Sequence, residues 1–125
     1  MAMELDHLEV IDWDLALRLA GNKEDLAQDM LNLVIKSLPA ELALIQSHHA
    51  AQNFPLLIHH IHKLHGALCY TGLPRLKMLL ERLESDLKNH IMDSSSSLLH
   101  QLDCEIRFIL ERFTLHTNRP QWSMS

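Results

Sequence analysis

Four histidines, His59, His60, His62 and His65, crowd seven consecutive positions of this 125-residue chain, which carries ten in all. At that density two chemistries are open. A neutral imidazole is a nucleophile and a proton carrier near neutral pH. Imidazoles three residues apart on one helix face, as His59/His62 and His62/His65 would be, can also ligate zinc. The zinc reading lacks a third ligand assignable from sequence, because no cysteine or carboxylate is interleaved between His59 and His65. Cys69 and Cys104 lack CxxC spacing and read as buried thiols of a reducing compartment. A second cue is Gly66, one turn after His62. Glycine inside a helix costs about 1 kcal/mol relative to alanine, so something must offset it. It either opens a flat approach beside an exposed imidazole, for another backbone or a phosphoryl group, or allows close helix packing.

The helix that carries these residues divides into two faces at about 100° per residue. Phe54, Leu57, Ile61, Leu64 and Leu68 form one apolar stripe. His62 lies about 120° from the middle of that stripe and should reach solvent, with His59, Gly66 and Cys69 on its own side. His65 falls near the core boundary, and His60 points elsewhere. Lys63 is about 100° round from His62, so only its flexible stem can bring the ammonium toward a group bound there.

The rest of the chain reads as further helices. Asp12 is an N-cap for a short helix through Ala20, in which Trp13, Leu17 and Ala20 share a side, stopped by Gly21-Asn22. From Lys23 an apolar period runs past Pro39 to Ile45, with a kink expected at the proline. His48 to Asn53 reads as a polar connection, and Asn53 with Pro55 starts the histidine helix. Pro74 begins another helix, on which Leu76, Leu79, Leu80, Leu83 and Leu87 make the cleanest stripe in the chain. The serines from Ser94 to Ser97 read as the turn that caps a last helix through Phe113. The expected fold is all-α: an antiparallel four-helix bundle with a short extra N-terminal helix. Residues 1–11 are expected to be an irregular segment or an artificial remnant outside the fold, 12–113 the bundle, and 114–125 a polar tail.

Composition agrees and excludes much else. A hydrophobic fraction of 47% with only three glycines and four prolines suits one helical core and leaves little turn chemistry for a β-sandwich or barrel. Sixteen acidic against eleven basic residues give a net charge of −5, the wrong sign for a nucleic-acid binder. No stretch approaches the roughly 18 to 20 apolar residues that cross a bilayer, and no signal-peptide layout opens the chain, so no direct membrane insertion is expected. No Gly-rich phosphate loop or kinase motif set is present.

The run His62-Lys63-Leu64-His65-Gly66, followed by Gly72, Leu76 and Leu83-Glu84, resembles the signature of histidine-containing phosphotransfer (HPt) domains. The likeness covers about residues 12–113 and includes Pro39 in the preceding helical segment. Asp12-Trp13, Leu15-Ala16-Leu17-Arg18, Asn22-Lys23 and the stretch from Ile61 to Gly66 are most similar to the C-terminal module of BarA-type hybrid sensor kinases. The resemblance implies a phosphorelay intermediate without kinase activity of its own. His62 would accept a phosphoryl group from an aspartate on the receiver domain of a hybrid kinase and pass it to the aspartate of a cognate response regulator. Lys63, His65, Gly66, His59 and Cys69 would form the surroundings of the phosphoryl group and the partner. No cofactor is implied for this chain, Mg²⁺ being expected in the receiver. The implied location is cytoplasmic, on a membrane-anchored kinase, and the 125 residues suggest an isolated module.

One departure stands out: many family members carry lysine three residues after the acceptor, where this chain has His65. A titratable charge replaces a permanent one, and Lys63 is positioned to supply part of what is missing. The residue that would hold the second ring nitrogen of His62 is not identifiable from sequence. A noncatalytic helical adaptor and a histidine-cluster metal-binding bundle are the competing readings.

Overall fold

The computed structural model describes residues 5–117, with side chains described to residue 115. The opening Met1-Ala2-Met3 and the tail beyond Thr117 lie outside the described residues. Five α-helices follow in order: α1 (Trp13–Leu19), α2 (Glu24–Ala50), α3 (Phe54–Ala67), α4 (Pro74–Lys88) and α5 (Ser95–Thr117), with a 3-10 turn, Leu68–Tyr70, between α3 and α4. Among the described residues there is no strand. The helices α2 to α5 pack in a closed cycle, each against its neighbours in sequence and α5 back onto α2, while α1 lies on α2. This is a four-helix bundle with a short leading helix.

Local signals explain the helix starts. Asp12 caps α1 by accepting from the Leu15 N–H at 2.9 Å, and Asn53 occupies the same position on α3, with Pro55 in the first turn. Packing does the rest. Leu31, Ile35, Leu38 and Ile45 of α2, Leu57 and Ile61 of α3, and Leu76, Leu79, Leu80 and Leu83 of α4 are fully buried. Each such side chain contributes about 1.5–3 kcal/mol through burial.

The junction between α3 and α4 is fixed by Gly72. Its φ is +72°, and a Cβ there would stand 2.7 Å from both Ala16 Cβ and Asp12 O, so no side chain fits. The Asp12 N–H donates to Gly72 O at 2.9 Å, tying the start of α1 to the turn that aims α4 alongside α3.

Three features differ from the sequence expectation. The aperiodic N-terminal segment belongs to the core, since Leu5, Val10 and Ile11 are buried. An irregular backbone can bury side chains without any helical or strand period, so periodicity misses them. α2 runs through the expected polar connection to Ala50, with His48 and His49 in its last turn, where basic residues suit the helix dipole. There His49 Nε2 lies 3.1 Å from Ser95 Oγ and the His48 ring packs 6.0 Å from that of His60. In keeping with the expectation that Pro39 does not break the segment, it is exposed and lies within one continuous helix. α5 continues four residues past Phe113, to Thr117. Ser94 and Ser95 bond Asp86 Oδ2 at 2.7 Å and Met92 O at 2.9 Å respectively. No helix among the described residues is long and apolar enough to cross a membrane.

Candidate functional site

With Leu57, Ile61 and Leu64 turned into the core, α3 must carry His62 outward, and its side chain is 67% exposed. On α4 the leucine stripe has a similar consequence. Glu81, Glu84 and Lys88 recur at i, i+3 and i+7 beside the stripe, on the edge that meets α3. The two helices run in opposite directions, so ascending positions on α3 meet descending positions on α4. His62 Nδ1 lies 2.8 Å from Glu84 Oε2, and His65 Nε2 lies 3.0 Å from Glu81 Oε1.

Glu84 is the part of this site to which sequence alone assigns no role. Its carboxylate is only 12% exposed and sits beneath the ring. Burial pushes its pKa up, but hydrogen bonds from Lys88 and His62, reinforced by their charge, outweigh burial and hold it below the ordinary glutamate value. It is therefore an anion near neutral pH and can only accept, so the bond to His62 is an Nδ1–H donating to Oε2. In a neutral ring Nε2 then carries the lone pair, and the ring's exposure gives it access to solvent. The signal for Glu84 was in the sequence: Leu83-Glu84 puts it one residue from a buried leucine, on the flank of α4 that faces α3.

The other residues singled out from sequence divide between this face and its surroundings. Gly66 is exposed, and a Cβ there would meet nothing within 4 Å, so no helix among the described residues requires the glycine for packing. Beside His62 it leaves a flat, open surface. The side chains of Lys63 and His59 are exposed. His65 is half-buried and engaged by Glu81. Cys69 sits past the end of α3 in the 3-10 turn, where helical spacing no longer applies, and lines a cleft of about 280 Å³ against Leu15 and Leu19 of α1. His60 faces α2, its Nε2 3.0 Å from Glu41 Oε2. Among the described residues no three histidine, cysteine or acidic side chains converge as a metal site. His62 and His65, one of the two pairs that the competing zinc reading would use, turn to separate glutamates.

The site is thus a solvent-facing imidazole held by a largely covered carboxylate from the neighbouring helix of a four-helix bundle. A family model described as Hpt domain matches residues 29–112. The chain belongs to the Hpt domain family. This Hpt domain is 40% identical over 95 residues to the signal transduction histidine-protein kinase BarA of Shigella flexneri, an alignment covering 74% of the chain and 10% of the relative. It is 44% identical over 81 residues to the sensor histidine kinase GacS of Pseudomonas protegens, covering 65% of the chain and 9% of the relative. The chain thus spans about a tenth of the length of these curated relatives. The crystal structure of the HPT domain from an Hpt sensor hybrid histidine kinase of Shewanella superposes with a TM-score of 0.77 at 32% identity, covering 90% of this chain and 97% of that one. The Hpt domain is homologous to the corresponding modules of hybrid sensor kinases, and its helical bundle is theirs.

Proposed function

We propose that this Hpt domain is a phosphorelay intermediate in which His62 accepts a phosphoryl group from a receiver-domain aspartate and returns it to the aspartate of a response regulator. The observation that carries the reading is the 2.8 Å contact of His62 Nδ1 with Glu84 beneath an exposed ring. The Nε2 lone pair attacks phosphorus of the aspartyl phosphate and the N–P bond forms. The bond from phosphorus to the aspartyl oxygen breaks, and its electrons leave with the carboxylate. The ring keeps its Nδ1 proton and becomes cationic, and Glu84 faces that charge at hydrogen-bond distance. Transfer onward is the same step reversed, with neutral imidazole as the leaving group.

In this reading Gly66 leaves room for the receiver's backbone, and Lys63 offers a flexible positive charge to the phosphoryl oxygens. Mg²⁺ belongs to the receiver, where it would neutralise those oxygens during transfer. The domain has no kinase role of its own and would work on the cytoplasmic side of a membrane-anchored sensor kinase, from which other domains supply the phosphoryl group.

The test is incubation of the chain with a receiver domain phosphorylated on its aspartate. Acid-labile, base-stable phosphate should appear on the wild type and be lost in His62→Gln. An unlabelled wild type, or a label that persists in the variant, would overturn the assignment.

A further inference from the structure

A carboxylate pressed against Nδ1 has two effects on an imidazole. It orders the neutral tautomer, which favours attack by Nε2, but it also favours the doubly protonated ring, which has no lone pair to attack with. The second effect works against the site. Lys88 Nζ lies 2.7 Å from Glu84 Oε2, the same oxygen that accepts from His62 Nδ1 at 2.8 Å. An ammonium on that oxygen draws off its negative charge while leaving it in place as an acceptor.

The charged and titratable groups nearby are few. His59, Lys63 and His65 lie on α3 itself, and Glu81, Glu84 and Lys88 on α4. Glu81 is engaged by His65, and the acidic partner that α2 brings to α3, Glu41, meets His60. Lys88 is thus the cation attached to the partner of His62.

We infer that Lys88 is a positioning residue for phosphoryl transfer: by sharing Glu84 Oε2 with His62 it restrains the carboxylate from driving the ring into its doubly protonated, non-nucleophilic form. The inference rests on the phosphotransfer reading above and adds to it a determinant of the pH range in which His62 stays an acceptor. Lys88 acts through Glu84 and need not touch the phosphoryl group.

The test compares initial transfer rates from one phosphorylated receiver between about pH 5.5 and 8.5, normalised to wild type so that the donor's own pH dependence cancels. Lys88→Met should move the acid limb of the profile to higher pH by on the order of half a unit to one unit, while leaving the plateau rate within about twofold. Lys88→Arg should restore the wild-type limb. In a Glu84→Gln background the Lys88→Met shift should vanish, because the charge that Lys88 offsets is gone. A second readout needs no donor: the His62 ring followed by NMR through the same pH range should show the same displacement. Superimposable limbs for wild type and Lys88→Met would overturn the inference, as would a uniform rate loss without a shift, which indicates a purely structural contact. If wild type takes no phosphoryl group, it is the phosphotransfer reading that fails, and the ring titration still decides the role of Lys88.

Discussion

His62 and His60 lie two residues apart on one helix, and each has a glutamate from a neighbouring helix within 3.0 Å. Only one of them presents a ring to solvent. Glu84 comes from beneath and takes Nδ1, so the far nitrogen of His62 is free, in a side chain that is 67% exposed. Glu41 instead meets Nε2 of His60, in a side chain that is 19% exposed, and that nitrogen is buried without a well-formed hydrogen bond. The lesson is that a histidine–carboxylate pair does not by itself mark a nucleophile. What matters is which nitrogen the carboxylate takes and whether the other one reaches solvent. His60 with Glu41 joins α2 to α3, and His62 with Glu84 joins α3 to α4 while presenting a lone pair.

The sharpest way to break this contrast is to exchange the fates of the two rings. His62→Gln should abolish phosphoryl acceptance while lowering stability by no more than about 1.5 kcal/mol, the scale of the one hydrogen bond to Glu84 that it disturbs; donor assays and thermal melts read both. Glu84→Ala should follow with a loss of about tenfold in transfer rate, the equivalent of about 1.4 kcal/mol and the scale of one charge-assisted hydrogen bond. The same carboxylate should leave a trace in acid. Its pKa is lowered in the fold, so its stabilising contribution is present above the ordinary glutamate range and is lost as pH falls through the lowered value. The stability gap between wild type and Glu84→Gln, from denaturant melts, should therefore narrow below about pH 4.3.

Gly66→Gln comes next, with transfer from a receiver slowed severalfold by the bulk beside His62. Because a Cβ there meets nothing within 4 Å, the bundle should be as stable or up to about 1 kcal/mol more stable. Function and stability should move in opposite directions, and a fall in stability would return Gly66 to a packing role. The smallest effect is expected at His60→Gln, which should keep transfer within about twofold of wild type; a loss as large as that of His62→Gln would mean the two rings act as one site.

These contrasts also show what a sequence can and cannot carry. The apolar stripes of α3 and α4 were legible because each recurs at helical spacing, and they alone turn His62 outward and His60 aside. Gly66 and Gly72 stand in the same motif, yet one is open and the other has a positive φ and no room for a methyl group. That difference depends on α1 crossing the turn, which no local pattern records. Leu5, Val10 and Ile11 carry no such signal, because irregular backbone leaves no period to read. Glu84 and Lys88 were visible as flanking residues of a leucine stripe, but their meeting with His62 needs the register between two helices, 22 residues apart in sequence at the His62–Glu84 contact. Which nitrogen of the imidazole is held by a carboxylate is therefore a property of the packed bundle.

The proposed transfer chemistry turns on Glu84 holding the Nδ1 proton and so leaving Nε2 to react. Nitrogen NMR of the His62 ring, before and after phosphorylation of the chain with phosphoramidate, reads both nitrogens. The free ring should be protonated at Nδ1 in its neutral form, and the phosphorylated ring should show its nitrogen–phosphorus coupling at Nε2. A neutral ring protonated at Nε2, or phosphate at Nδ1, would rule out this role for Glu84.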